Sequence, residues 1–245
     1  MPPSAAAGQT RVNTGWLAPA ETSALGWLGP RVPSWITPNG LTAVGFAASV
    51  VALLGYLSSR DHPGALWLVN LALIANWFGD SLDGHVARLR GIERPRFGLF
   101  LDQSVDILSQ LLFAAGLAGS GLVEPVIVAF AFAAYLMMTA QGLLRAQATG
   151  LFPLATGGMG LTEVRCLFLF GNVLFFFLPP RPFSLVGISV TYADLLGLQW
   201  IVVNVVLYVV TMVSQLRDLA EVEPPAGAPR AVTSGPPDEA SPRSG

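Results

Sequence analysis

Six apolar stretches, each long enough to cross a lipid bilayer as a helix, recur along this chain of 245 residues. An α-helix rises 1.5 Å per residue, so about 20 residues cross a hydrocarbon core of ~30 Å. The chain is 53% hydrophobic and 11% charged, whereas a soluble domain carries about 25% charged residues. An ordinary soluble enzyme and a disordered protein are therefore excluded. The expected spans are 41–59, 65–84, 98–119, 125–147, 161–179 and 194–215.

These stretches predict an all-α polytopic membrane protein, a bundle of six transmembrane helices. Ahead of the first span, segment 21–36 interleaves leucines and tryptophans with charged residues and two prolines, which indicates an amphipathic helix lying in the membrane interface. Both ends of the chain are rich in Pro, Ala, Gly and Ser without apolar periodicity, which is typical of disorder. We expect a disordered tail over 1–19, a membrane domain over 20–220 and a disordered tail over 221–245.

The arginines predict the orientation of the bundle. With the N-terminus inside, eleven of the 13 arginines lie on the cytoplasmic side, and only Arg60 and Arg181 lie outside. Without Arg230 and Arg243, which lie far from any span, the ratio is nine to two. Cytoplasmic loops carry such an excess of positive charge. We therefore expect both termini on the cytoplasmic side of a cytoplasmic (inner) membrane.

The remaining composition excludes several kinds of chemistry. The net charge of −2 provides no basic field for nucleic acid. The chain contains no lysine, which excludes Schiff-base catalysis and a Walker-type phosphate loop. Cys166 is the single cysteine, so no disulfide can form within the chain.

Four aspartates lie where the second expected span ends and the third begins. Asp80 and Asp83 are three residues apart, and Asp102 and Asp106 are four apart, so each pair shares a helix face. A charged side chain at the centre of a span costs about 2.5–3.5 kcal/mol or more. Two such pairs on neighbouring antiparallel helices form an oxygen cage, which suits a hard cation such as Mg²⁺ or Mn²⁺.

Two other interpretations of the aspartates stay open on the residues alone. The aspartates could form a structural ion-pair network with the arginines of the connecting loop, which are Arg88, Arg90, Arg94 and Arg96. Buried acids within spans are also typical of an ion or proton pathway.

The same region contains residues at fixed spacings. The string Asp80-Ser-Leu-Asp83-Gly84-His-Val-Ala87-Arg88 is followed, after nine residues, by Gly98, Asp102 and Asp106. It resembles the signature D-x-x-D-G-x-x-A-R-x(n)-G-x-x-x-D-x-x-x-D of the CDP-alcohol phosphotransferase (CDP-alcohol phosphatidyltransferase) family. All eight fixed positions are filled, and the linker is one residue longer than the family's common eight.

Two further segments are similar to polar elements that open the family's first and fifth spans. They are Thr37-Pro38-Asn39-Gly-Leu41-Thr42 and Gly160-Leu-Thr162-Glu163-Val-Arg165. The resemblance covers about residues 20–215 and implies the same six-span topology.

The resemblance implies a metal-dependent enzyme of phospholipid biosynthesis. Such an enzyme transfers a phosphate-linked group from a CDP-linked donor to an acceptor hydroxyl and releases CMP. By resemblance, Asp80, Asp83 and Asp102 hold a pair of Mg²⁺ or Mn²⁺ ions, and Asp106 is a ligand, the general base, or both. The donor's cytidine-diphosphate site would be lined by Asp80, Asp83, Gly84, Ala87, Arg88 and Gly98.

The acceptor side is less defined by the sequence. The candidates for contacting the acceptor or a phosphate are Asn39, Arg145, Glu163 and Arg165. Arginine suits bidentate phosphate contact, but Arg145 and Arg165 could equally anchor the bundle at the cytoplasmic face. The donor could be CDP-diacylglycerol or a CDP-linked amino alcohol, and the acceptor a small polar alcohol or diacylglycerol. Membrane lipids and a second copy of the chain are the other expected partners, and nucleic acid is not.

Overall fold

Seven α-helices make up most of the structure, a computed structural model that describes residues 10–12, 14–153 and 155–223. The helices are α1 (Ala18–Leu28), α2 (Pro38–Ser59), α3 (Ala65–Leu89), α4 (Pro95–Ser120), α5 (Pro125–Thr149), α6 (Leu161–Phe177) and α7 (Tyr192–Val222). A short 3-10 helix, Gly29–Arg31, follows α1. The larger part of the expected tails, 1–9 and 224–245, lies outside the described residues.

The helix ends follow from local sequence. Helices α2, α4 and α5 begin at Pro38, Pro95 and Pro125, where proline's fixed φ and missing N–H cost nothing. Before α2, the hydroxyl of Thr37 accepts a hydrogen bond from the Gly40 N–H at 3.1 Å, a typical N-cap. Helix α4 ends at Gly121, whose φ of 75° suits a residue without a Cβ.

Five of the helices in the described part of the chain, α2, α3, α4, α5 and α7, are long and apolar enough to cross a membrane. The sixth expected span, 161–179, is the shorter helix α6, which has 17 residues. Its rise is about 26 Å, somewhat less than the hydrocarbon core. The paired prolines at 179 and 180 end it because proline cannot continue a helix.

Three short strand pairs join the helices, a feature that the all-α prediction omits. Strand β1 (Thr10–Val12) pairs in parallel with β2 (Leu151–Pro153). Strands β3 (Ala155–Thr156) and β4 (Met159–Gly160), and β5 (Phe183–Leu185) and β6 (Ile188–Val190), form antiparallel pairs. The strand at residues 10–12 and the start of α1 at Ala18 lie within the range of the expected 1–19 tail, and β2 supplies the backbone partners of β1.

The bundle is built around close packing of α2 against α3 and α4, with α6 against α3 and α7 against α5. Helices α2 and α3 approach each other closely at two glycines. A Cβ on Gly79 would lie 2.5 Å from both the Gly45 nitrogen and the Leu41 carbonyl oxygen. Small residues let helix backbones come this close, and the contact lies one residue before Asp80.

Large apolar side chains remain exposed on the outer faces of the helices. Leu71 is 66% exposed, Phe130 64% and Phe170 67%. Apolar surface of this extent is unusual in a soluble protein but fits contact with lipid. Together with the five long apolar helices, it identifies the chain as an integral membrane protein.

Helix α1 is held against α3 and α6 by one carboxylate. The Glu21 Oε1 atom accepts hydrogen bonds from Trp77 Nε1 at 3.2 Å, Ser81 Oγ at 3.1 Å and Thr162 Oγ1 at 2.8 Å. The α1 segment is therefore joined to the two helices that carry Asp80 and Arg165.

Candidate active site

Three carboxylates meet where α3 ends and α4 begins. Asp80, Asp102 and Asp106 each place one oxygen within 4.8 Å of the others. Asp80 comes from the last turns of α3, and the other two lie one turn apart on the first half of α4. Asp106 is 7% exposed. Unneutralised anions this close repel one another, so the cluster calls for a cation.

Asp83, the fourth predicted ligand, points to different partners. Its Oδ2 atom accepts a hydrogen bond from Thr42 Oγ1 at 2.5 Å, and its Oδ1 atom accepts one from the Gly84 N–H at 2.5 Å. Thr42 belongs to the first turns of α2. The structure therefore brings together three of the four predicted aspartates and ties Asp83 to α2.

A buried arginine from α6 neutralises part of the cluster. Arg165, 7% exposed, donates from Nη2 to Asp80 Oδ2 at 2.6 Å and from Nε to Asn76 Oδ1 at 2.9 Å. Asn76 in turn donates from Nδ2 to the Gly45 carbonyl and to Ser49 Oγ of α2, both at 3.1 Å. This network fixes Asp80 relative to α2, α3 and α6.

The space between the carboxylates fits a small cation. A cavity of about 10 Å³ is bounded by Thr42, Asn76, Ser109 and the three clustered aspartates, which is about the volume of one water-sized sphere. Ser109 is 2% exposed, and its hydroxyl has no hydrogen-bond partner among the described residues. An unpaired buried hydroxyl beside an all-oxygen donor set suits a small divalent ion such as Mg²⁺.

The predicted donor-site residues lie around the same end of α3. Gly84 and Ala87 are half-buried, whereas Arg88 and Gly98 are exposed. A Cβ on Gly98 would meet no atom within 4 Å, and one on Gly84 would meet only the Arg88 guanidinium, at 3.5 Å. This open surface beside the carboxylates leaves room for a ligand.

The four candidates for the acceptor side fall in different places. Asn39 is exposed on the first turn of α2, and Arg145 is half-exposed near the end of α5. Both carboxylate oxygens of Glu163 accept backbone hydrogen bonds, from Leu17 N at 2.7 Å and from Gly160 N at 2.8 Å. Glu163 thus holds the chain before α1 and caps α6, and Arg165 contacts Asp80.

A larger cavity, of about 140 Å³, also borders Asp106, and neither Asp83 nor Thr42 lines it. It lies between α4, α5, α6, α7 and the β3–β4 hairpin. Its polar lining includes Gln103, Gln110, Thr139 and Asn204, and its aromatic lining consists of Tyr135 and Trp200. We call this space the Asp106 cavity.

Several residues of the site were not among the predicted ones. Asn76 lies four residues before Asp80, so its position on the same helix face was a usable signal. Thr42 stands in the segment that opens the first span, and Ser109 lies three residues after Asp106. His85, to which the sequence assigned no role, packs against Gly29, where a Cβ would lie 2.5 Å from the imidazole Cδ2.

Comparison with known proteins identifies the fold family. Residues 35–210 match the CDP-alcohol phosphatidyltransferase family, and this range contains the three clustered carboxylates, Asp83 and Arg165. The chain belongs to the CDP-alcohol phosphatidyltransferase family. The resemblance seen in the aspartate signature is thereby confirmed.

Individual relatives match shorter stretches of the chain. An archaetidylinositol phosphate synthase of Pyrococcus horikoshii is 36% identical over 89 residues, which is 36% of this chain and 44% of the relative. Cholinephosphotransferase 1 of Danio rerio is 32% identical over 96 residues, 37% of this chain and 25% of the relative. Inner membrane protein YnjF of Escherichia coli is 42% identical over 81 residues, 33% of this chain and 36% of the relative. Each match covers less than half of the relative's own length.

Proposed function

We propose that this protein transfers a phosphate-linked group from a CDP-linked donor to an acceptor hydroxyl and releases CMP, in phospholipid synthesis. The observation that carries the proposal is the meeting of Asp80, Asp102 and Asp106 oxygens within 4.8 Å, inside the region that matches the family. Relatives named as a synthase of a lipid phosphate and as a cholinephosphotransferase support a reaction of this class.

Asp80, Asp102 and Asp106 would hold divalent ions, Mg²⁺ or Mn²⁺, with Asp83 completing the set where a second ion binds. When bound, such ions neutralise charge on the phosphate oxygens as the leaving group departs. Arg165 would orient the Asp80 carboxylate, since its guanidinium donates to Oδ2. Gly84, Ala87, Arg88 and Gly98 would line the open surface that receives the cytidine diphosphate.

Asp106 is the proposed base, since it lines both the ion site and the larger cavity. Its carboxylate takes the proton of the acceptor hydroxyl as the acceptor oxygen forms a bond to the donor phosphorus. The bond between that phosphorus and the oxygen bridging to the CMP phosphate breaks, and CMP leaves with the electron pair. A carboxylate within hydrogen-bond reach of the hydroxyl is the geometric requirement for this role.

We also propose the placement of the protein in the membrane. Helix α6 acts as a sixth, shorter span, which puts both termini and the aspartate site on the cytoplasmic side of the cytoplasmic membrane. Helix α1 lies in the interface, where Trp16, Trp27 and Trp35, which are 73%, 60% and 78% exposed, suit the headgroup region.

Release of CMP by the purified protein tests the proposed reaction directly. With CDP-diacylglycerol or CDP-choline as donor and a panel of alcohols as acceptors, we expect CMP release with Mg²⁺ or Mn²⁺, its loss in EDTA, and its return when the metal is restored. A metal-free preparation that keeps full activity would overturn the ion site. Absence of metal-dependent donor binding, measured as a shift in thermal unfolding, would overturn the transferase proposal as a whole.

A further inference from the structure

The Asp106 cavity is the second space that opens onto the proposed base. Of the clustered carboxylates only Asp106 lines it, whereas Asp80 and Asp102 border the small ion cavity. A molecule in the Asp106 cavity therefore reaches the base from the side away from α2 and α3. At about 140 Å³, the space is smaller than the ~300–1,000 Å³ of pockets that hold drug-sized ligands.

The charge of the lining restricts what can enter. Asp106 is the one charged side chain among the lining residues that the structure describes, and these include no arginine or histidine. Arg145 and Arg165 are not among them. A phosphorylated guest would bring a dianion next to a carboxylate in a medium of low dielectric, where like charges repel strongly.

The uncharged polar lining is suited to hydroxyl groups. Gln103 and Gln110 lie on α4 on either side of Asp106, and Thr139 and Asn204 face them from α5 and α7. The Gln110 Oε1 atom is buried and has no hydrogen-bond partner among the described residues. An unpaired buried acceptor is destabilising, and a donating hydroxyl of a guest removes that penalty.

Aromatic rings form the apolar part of the wall. The rings of Tyr135 and Trp200 are stacked with their centroids 6.3 Å apart, and both line the cavity. Such rings give large, rigid apolar surfaces, against which the carbon framework of a small guest packs while its hydroxyls meet the amides.

We propose that the Asp106 cavity binds the acceptor and that this acceptor is a small, uncharged polyhydroxylic alcohol. This inference rests on the proposed transferase function and names the substrate class of its second site. A space of this size does not take acyl chains, so the lipid chains must belong to the donor and not to the acceptor. The donor is then a CDP-linked lipid, and the product is a lipid with an uncharged polyol headgroup.

The test compares acceptors that differ by one phosphate group. The purified full chain, with CDP-diacylglycerol and Mg²⁺, is offered glycerol or myo-inositol and, separately, glycerol 3-phosphate or inositol 1-phosphate. A third arm pairs CDP-choline with diacylglycerol. We expect one neutral polyol to support CMP release at least ten-fold better than its phosphorylated counterpart, with no activity in the third arm. Preference for a phosphorylated acceptor or for diacylglycerol would overturn the inference and leave the transferase proposal standing.

Variants then locate the acceptor in the cavity. Gln110→Leu, which keeps the size of the side chain, should raise the KM for the polyol about ten-fold, the equivalent of about 1.4 kcal/mol, and leave the KM for the donor unchanged. Thr139→Val should act in the same direction with a smaller change. Gln147→Leu is the matched control, because Gln147 is exposed on α5 and does not line the cavity.

The possible failures are separable. Normal unfolding temperatures and normal binding of Mg²⁺ and donor would show that both cavity variants are intact. An unchanged KM for the acceptor in such variants would show that the acceptor binds elsewhere. Donor binding without CMP release on any neutral polyol would overturn the acceptor class. Loss of metal-dependent donor binding in the wild-type protein would instead overturn the proposed function.

Discussion

Arg165 shows, at the scale of single residues, how one side chain can serve a site that it does not enter. Its guanidinium is buried and contacts Asp80 and Asn76 of α3 at 2.6 and 2.9 Å. Leaving one member of such a buried ion pair alone costs about 3–5 kcal/mol. Because Nε and Nη2 of the guanidinium both donate to side chains of α3, we infer that Arg165 positions Asp80 rather than contacting a substrate phosphate.

Arg165→Lys separates positioning from phosphate binding. Lysine keeps the positive charge, but its single ammonium group cannot donate to Asp80 and Asn76 together as the planar guanidinium does. Losing one charge-assisted hydrogen bond, worth about 1.5–3 kcal/mol, should weaken Mn²⁺ binding roughly ten- to a hundred-fold. Electron paramagnetic resonance titration of free Mn²⁺ measures this without any turnover.

The control for this variant is Arg60→Lys, since Arg60 is exposed at the opposite end of α2. Unfolding temperature reports whether either variant is generally damaged. Unchanged Mn²⁺ affinity in Arg165→Lys, together with a raised KM for a substrate, would favour the phosphate contact that the sequence left open.

Asp106 and Asp83 differ in their surroundings, and their amide variants should differ accordingly. Asp106→Asn keeps an oxygen near the ions but cannot take a proton, so turnover should fall by about 10²–10⁴-fold while donor binding survives. Asp83→Asn alters the carboxylate held by Thr42 and the Gly84 N–H, and should reduce donor affinity as well as rate. CMP release and CDP-donor binding are measured on both. An equal loss of donor binding would make Asp106 a metal ligand first.

The crossing of α2 and α3 belongs to the scale of whole elements. A Cβ on Gly79 would lie 2.5 Å from backbone atoms of Gly45 and Leu41. Both residues belong to α2, and their backbone atoms cannot move without shifting that helix. Gly79→Ala should therefore separate α2 from α3, destabilise the protein by about 1–3 kcal/mol and lower Mn²⁺ affinity by displacing Asp80. Thermal unfolding and Mn²⁺ titration check both effects.

The matched control for this crossing is Gly171→Ala on α6. A Cβ at Gly171 meets no atom within 4 Å, and alanine favours a helix by about 1 kcal/mol relative to glycine. This variant should be neutral or more stable than the wild type. Equal effects of the two substitutions would show that helix propensity, not the close crossing, governs the response.

Helices and local motifs were predictable because they depend on neighbours in the chain. Apolar runs of spanning length marked α2, α3, α4, α5 and α7, and the spacing of four aspartates indicated facing pairs. The partners of individual side chains were not predictable in this way. Arg165 meets Asp80 across 85 positions, and Thr42 meets Asp83 across 41. Such contacts depend on how helices pack, so the sequence placed Arg165 near the cytoplasmic face without choosing its partner.

The strand pairs were missed for a related reason. Segments of two or three residues are too short to show an alternating apolar pattern. The β5–β6 hairpin turns through Val186 and Gly187, whose φ values are 52° and 79°, the positive values that a two-residue hairpin turn needs. Valine is rare in this conformation. The first position of the turn therefore lacks the Asn, Asp or Gly that usually indicates such a turn in a sequence.

At the scale of the whole molecule, the proposed orientation rests on the positions of charge and of apolar surface. Exposed apolar side chains cover the helices. Four arginines lie between the last turn of α3 and the first turn of α4. Arg60 follows α2, and Arg181 follows α6. The asymmetry favours a bundle whose aspartate site faces the cytoplasm, where a water-soluble product such as CMP would be released.

Cysteine labelling in intact cells tests this orientation. The starting variant is Cys166→Ser, because the native thiol is exposed and would react itself. In that background, Arg60→Cys and Arg181→Cys should be labelled by a membrane-impermeant maleimide added from outside. Arg94→Cys, and Ser234→Cys in the C-terminal segment, should be labelled only after the membrane is permeabilised. CMP release by each variant confirms that the labelled protein is folded. Labelling of Arg94→Cys from outside, with protection of Arg60→Cys, would reverse the orientation and put the aspartate site on the outer face, away from cytoplasmic CDP-linked donors.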